Sequence, residues 1–290
     1  MFAALLAVGL ALSASRSREV TDLGDLRRYA YTVAGESYSF EVPVASVARD
    51  LELSGAHPVD ALVKARAEAV MGWANARPAS ERATVDISVE VTGAKLRYQV
   101  SSTAGEGTAD RALETAQAVS LQARTKFLEE HGYEDANGLI RPAHARLAGQ
   151  YATLVAPIAL GLSKPLEDVR DFAARSLAFV QTIPYEKRDD DGDTYRRPLA
   201  VLDGDRGDCD SKAVLYLAMM KSSFPEVSLA LFYVTGHVYV GLEIDGEGTR
   251  VQVSGRSYLV AEPAGPGLLD LGELDVRNEG LKINDARIVP

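Results

Sequence analysis

The chain has 290 residues, 47% of them apolar and 25% charged, and a formal net charge of −10 at neutral pH. That balance describes a folded globular protein with enough chain for one large or two medium domains. The acidic excess excludes a general nucleic-acid binder, which needs clustered basic side chains against phosphate.

Phe2 to Ala14 is apolar except for Gly9 and Ser13, and Arg16 and Arg18 follow it. This run is short for a membrane-spanning helix and closer to a secretory apolar core, with small residues at Ala11-Leu12-Ser13 and Ser13-Ala14-Ser15 for cleavage. Residues 1–18 are therefore expected to be a signal peptide or N-terminal membrane segment, and the protein exported or membrane-associated. The basic flank that normally precedes such a core is missing, which keeps a buried N-terminal helix open as the alternative.

Residues 19–162 read as a smaller α+β domain. Arg28–Val33 and Tyr38–Val42 flank Ala34-Gly35-Glu36-Ser37 as a hairpin. Val59–Ala76 has helical periodicity, with Leu62, Ala65, Ala69 and Trp73 on one stripe, and Trp73 is expected in the core. Ala83–Val91 and Lys95–Val100 form a second hairpin through Thr92-Gly93-Ala94. A long helix follows from about Ala109 to Glu130, with Gly132 as its stop. Two passes of strand pair plus helix suggest a compact domain, and no metal, phosphate-loop or serine-nucleophile signature lies within it.

Residues 163–290 carry the chemistry. A helix is expected over 166–181, then a loop rich in acids at Asp189-Asp190-Asp191-Gly192-Asp193 and Asp203-Gly204-Asp205. A calcium loop starting at Asp189 would need glycine at position six and glutamate at position twelve. Those positions hold Thr194 and Ala200, so a solvated loop is the expectation and no metal or cofactor is assigned. The next helix, 209–221, begins at Cys209, the sole cysteine of the chain. One thiol cannot belong to an intrachain disulfide framework. Asp208 and Asp210 beside it argue against an apolar core, and a first-turn position favours the thiolate, the nucleophilic form.

Strands are expected to the C-terminus, over 227–234, 237–244, 250–253 and 257–262, ending in 286–289. In the second, His237, Tyr239, Gly241 and Glu243 share one face, and Val238, Val240, Leu242 and Ile244 the other, the pattern of a half-buried strand. A histidine at a strand's start can meet a helix N-terminus and take a thiol proton. A third group should orient its ring. Glu243 shares its face but lies six residues away, roughly 20 Å along a strand, and Asp245 is further still. Glu262, closing its strand before Pro263-Ala264-Gly265, is the preferred partner. A helical block followed by strands is an α+β arrangement.

Gly207-Asp208-Cys209-Asp210-Ser211-Lys212, Gly236-His237-Val238-Tyr239-Val240-Gly241-Leu242, Tyr258-Leu259-Val260-Ala261-Glu262-Pro263 and Val180-Gln181-Thr182-Ile183-Pro184-Tyr185 occur in this chain. Over residues 165–290 they resemble the transglutaminase-like superfamily, in particular its bacterial and archaeal cysteine-protease branch. The resemblance implies a papain-like core, with the nucleophile helix packed on an antiparallel sheet. By position it implies Cys209 as nucleophile, His237 as base, Glu262 as the acid, and Gln181 as oxyanion donor or substrate-positioning amide. The chain departs from the family's pattern at Tyr239, where tryptophan is common, and at Glu262, where aspartate is usual. The implied activity is hydrolysis of peptide or side-chain amide bonds on a peptide or protein substrate. Acyl transfer between proteins and a non-catalytic binding scaffold are the alternatives.

Overall fold

The structure, a computed structural model, describes residues 16–33, 35–55, 59–136, 138–165, 167–186, 195–265 and 267–290. The apolar stretch Phe2–Ala14 and the acidic run Asp189–Asp193 lie outside them. Two compact units form, one from the residues up to Gly55 together with His144–Pro290, the other from Ala56–Ala143. Both mix helices with antiparallel strands.

The first unit opens with a three-stranded antiparallel sheet, β1 (Arg16–Leu23), β2 (Leu26–Val33) and β3 (Glu36–Pro43). The expected hairpin is β2–β3. Sequence reading missed β1, which takes up Arg16 and Arg18 from the expected N-terminal segment. Alternation puts Tyr29, Tyr31, Phe40 and Val42 on the buried face, since every second strand residue points the same way. Helix α1 (Val44–Glu52) follows.

The second unit runs α2 (Val59–Ala76), a single turn α3 (Ala79–Arg82), β4 (Val85–Thr92), β5 (Lys95–Ser102), α4 (Glu106–Glu130), β6 (Tyr133–Ala136) and β7 (Leu139–Pro142). The β4–β5 register, Thr92 opposite Lys95, matches the predicted turn. Helix α4 starts one turn earlier than expected and stops at Gly132, whose φ of 76° is the left-handed conformation glycine adopts at a helix end. Val70, Ala74, Val85, Ile87 and Ala116 form one core cluster, with Trp73 half-buried against it. Of the expected stripe of α2 only Leu62 is fully buried, and the other buried residues are Val63, Val70 and Ala74.

The first unit resumes with α5 (His144–Tyr151), α6 (Ala156–Leu162), α7 (Val169–Thr182), α8 (Pro198–Gly204) and α9 (Cys209–Ser223). A five-stranded antiparallel sheet completes it, built from β8 (Leu229–Val234), β9 (His237–Leu242), β10 (Arg250–Val253), β11 (Arg256–Ala261) and β12 (Asp285–Ile288) in the order β10-β11-β9-β8-β12. Between its first turn and Lys221, helix α9 presents no exposed polar face. From Ser211 to Met220 every residue is buried, as an all-round apolar helix must be. Helices α5, α6, α7 and α8 pack around it with strands β8 and β9.

The domain boundary expected between residues 162 and 163 falls inside this unit. Ile158, Ala159 and Leu162 of α6 share one core with Phe172 and Phe179 of α7. Phe179 also meets the Tyr31 ring edge-on at a centroid distance of 5.1 Å, so the first three strands belong to that core as well. The smaller α+β unit therefore interrupts the larger one in sequence instead of preceding it.

Both faces of β9 are covered. Val238, Val240 and Leu242 face α9. Tyr239 packs with Phe232, Tyr258 and Val260 beneath Leu274, Ile283 and Ala286. The expectation of a half-exposed strand fails because the chain after β11 folds back over that face.

Candidate active site

Helix α9 begins where it does because Asp208 caps it. Asp208 has extended backbone angles, and its carboxylate accepts from Ser211 N at 2.9 Å and Ser211 Oγ at 2.5 Å. Cys209 is therefore the first helical residue. Its side chain is 5% exposed and joins the core cluster, against the expectation from its acidic neighbours. The sulfur donates to Asp210 Oδ1 at 3.4 Å, and the Val238 amide interacts with it from β9.

Burial pushes the thiol's pKa well up, and the charges of Asp210 and then Asp208 push the same way. The Val238 N–H opposes them. The lowering expected from the helix N-terminus is overridden, because desolvation and two flanking carboxylates both disfavour a thiolate. The resting form is a neutral thiol.

His237 opens β9, with its side chain 14% exposed. Its Nε2 lies 2.8 Å from Glu262 Oε1. The sheet register explains the meeting. Ala261 of β11 pairs with Val240, so Glu262 stands one step on, diagonal to His237 on the neighbouring strand. Glu262 is 1% exposed, and Asn278 Nδ2 donates to its other oxygen at 3.0 Å. The competing acids sit elsewhere, with Glu243 paired to Arg256 at 2.9 Å on the surface.

With Nε2 engaged, Nδ1 is the ring nitrogen left for the thiol. The sulfur's contact with the Val238 amide puts it beside the backbone of His237. Among the described residues no hydrogen bond joins the sulfur to the ring, and the thiol's acceptor is Asp210.

Gln181 does not present a free amide. Its Nε2 donates to Glu262 O at 3.0 Å and Leu269 O at 3.1 Å, and its Oε1 accepts from Leu269 N at 3.2 Å. Both amide protons are spent, so the oxyanion-donor expectation gives way to a structural one: Gln181 ties the end of α7 to Glu262 and Leu269.

Sequence reasoning missed three residues here. Tyr185 stands beside Cys209 and Asp208, and partial burial, followed by these acidic neighbours, pushes its phenol up to about 12. Asn278 had no motif to mark it. Lys212 stood inside the quoted motif but was given no role. It is fully buried, and Nζ donates to Ile183 O and Ala264 O at 2.8 Å and to Gln181 O at 3.4 Å. It thereby ties α9 both to the end of α7 and to the turn after Glu262.

Asp203 and Asp205, expected in a solvated loop, are paired instead. Asp203 accepts from Arg27 Nη1 at 2.7 Å and Tyr29 Oη at 2.8 Å, and Asp205 pairs with Arg16. Arg18 donates to Leu202 O and Asp203 O, so the first two strands hold the end of α8. Among the described residues, no group of three His, Cys, Asp or Glu side chains is arranged to hold a metal ion, and no helix is long and apolar enough to cross a membrane. Comparison with protein-family models, curated proteins and solved structures found no match.

Proposed function

We propose that the protein is a cysteine-dependent hydrolase of peptide or side-chain amide bonds, with a papain-like, transglutaminase-like core. The observation that carries the reading is the His237–Glu262 contact at 2.8 Å beside the first turn of the helix that holds Cys209. An imidazole oriented by a buried carboxylate next to the sole thiol is the arrangement nucleophilic amide cleavage needs.

The thiol proton passes to His237 Nδ1 as the sulfur attacks the carbonyl carbon. The Cys209 amide, the first N–H of the helix and without an intrahelical acceptor, is the donor available to the developing oxyanion. The C–N bond then breaks, and His237 returns the proton to the departing amine. Water, deprotonated by the same imidazole, resolves the thioester. Because burial and two carboxylates keep the resting thiol neutral, proton transfer accompanies attack instead of preceding it. A lysine amine in place of water would give acyl transfer between proteins. Hydrolysis is preferred on the resemblance to the protease branch. The substrate class is a peptide or protein, and export or membrane attachment remains the proposed location.

The test is the pH dependence of Cys209 alkylation by iodoacetamide, read by intact mass. The protein should label measurably at neutral pH, and His237→Ala should slow that labelling by roughly a hundredfold, the lower end of general-base assistance. Equal rates for the two proteins at pH 7 would overturn the reading.

A further inference from the structure

Lys212 stands on α9 about one turn behind Cys209, where its own amide donates to Asp208 O at 3.1 Å. The side chain is fully buried. Its ammonium has three protons for three carbonyls: Ile183 O and Ala264 O at 2.8 Å, and Gln181 O at 3.4 Å. A neutral amine offers one donor fewer, so only the charged lysine satisfies all three acceptors.

Those carbonyls belong to the two segments that flank the thiol. Ala264 follows Glu262 by two residues. Gln181, which accepts from the ammonium through its main-chain oxygen, donates from its side chain to Glu262 O at 3.0 Å. The backbone of the acid is thus held by Lys212 twice, through Ala264 and through Gln181. Ile183 precedes Tyr185 by two residues, and this stretch pairs with the approach to Cys209. Gly207 N donates to Pro184 O at 3.2 Å, and Glu186 N donates to Gly207 O at 3.1 Å. One ammonium therefore indexes both segments against the first turn of α9.

Three acids surround the site, and the Lys212 charge serves one of them. Asp208 caps α9 through Ser211, and Asp210 Oδ2 lies 3.6 Å from His144 Nε2 of α5. The charges that act on the ammonium are those of Arg16, itself paired with Asp205, and of Glu262. Glu262 is 1% exposed, with one oxygen on His237 and the other on Asn278. A carboxylate so deeply buried is costly without a counter-charge, and the ammonium supplies one.

We propose that Lys212 is a positioning residue of the hydrolase, whose three-carbonyl clamp sets Glu262 behind His237 in register with Cys209. The inference rests on the hydrolase reading, in which the His237–Glu262 pair serves that thiol.

The experiment follows Cys209 alkylation by iodoacetamide at pH 7 in the unaltered protein, Lys212→Met, His237→Ala and the double variant, each checked for folding by circular dichroism. Lys212→Met should slow labelling by about a hundredfold, the cost of roughly 1 Å of misplacement. Where His237 is already alanine, the same substitution should change the rate little. A slowing larger with His237 present than without it supports the proposal. An equal or smaller factor overturns it, as does faster labelling, the mark of a helix merely loosened. If Lys212→Met does not fold, Lys212→Gln, which shortens the stem and drops the charge, is judged by the same comparison. The second readout is the proton resonance of His237 Nε2–H in its bond to Glu262, assigned by its loss in Glu262→Ala. Its weakening in the Lys212 variant supports the proposal. A resonance intact there, or missing from the unaltered protein, overturns it. If His237→Ala leaves labelling unchanged, the hydrolase reading fails, and the ring proton alone decides whether Lys212 sets the pair.

Discussion

Lys212→Met isolates the energetics of the buried ammonium that ties the nucleophile helix to the acid's turn. Burial pulls the Lys212 pKa from its ordinary 10.5 down to about 7. A folded value below the unfolded one means that the unfolded chain binds more protons between those two pH values. Folding stability from this group therefore rises with pH across that window and is at its minimum below pH 7. Each pH unit corresponds to about 1.36 kcal/mol. From pH 7 to 8.5 the gain is thus ~2 kcal/mol. Above that range Cys209 and the buried tyrosines Tyr151 and Tyr216, all shifted upward by burial, contribute in the opposite sense. Methionine keeps the apolar stem and deletes the charge, so the variant should lack this slope. Three carbonyls lose their donor, at ~1–3 kcal/mol each, but that penalty shifts the whole curve without tilting it. Urea unfolding of both proteins at intervals between pH 7 and 8.5 gives the two slopes. Parallel lines would refute the reasoning and mean that the three carbonyls keep the ammonium charged throughout.

Gly241→Ala should destabilise the sheet by ~1–3 kcal/mol, the usual cost of overpacking. A Cβ there would stand 2.5 Å from Phe232 Cε2 and 2.7 Å from Tyr258 Cβ. Thermal unfolding measures it, and an unchanged midpoint would show that Phe232 swings clear at no cost. Asn278→Ala removes the donor to Glu262 Oε2, a charge-assisted bond worth ~1.5–3 kcal/mol when buried. It should slow His237-dependent alkylation at pH 7 while leaving any His237→Ala background unchanged. Equal slowing in both backgrounds would place its effect outside the His237–Glu262 pair.

The strands and helices around the thiol were legible because their patterns are local. Apolar alternation marked β8 to β11, and the step from Gly207-Asp208 into an apolar run marked α9. Glu262 could be chosen over Glu243 from strand spacing alone. The burial of Cys209 was not legible, since Asp208 and Asp210 suggest solvent until one sees Asp208 spent as a cap and Asp210 facing His144. Gln181 was misread for a related reason: a buried amide and a substrate-facing one look the same in sequence. Asn278 and His144 reach the site only through long-range folding, from segments with no periodic signal of their own. The division of the chain failed to show because β1 to β3 find their partners beyond an intervening unit.

That interruption bears on how the protein is made. Tyr29 and Asp203, hydrogen-bonded in the finished molecule, are 174 residues apart in sequence. Ribosomes release chain at roughly 5–20 residues per second. The aromatic side of the first hairpin must therefore wait for many seconds, bare of its final cover, while the whole of residues 56–143 is synthesised. In that interval the nascent chain carries a sticky apolar ribbon, and a holding chaperone would find its natural target there.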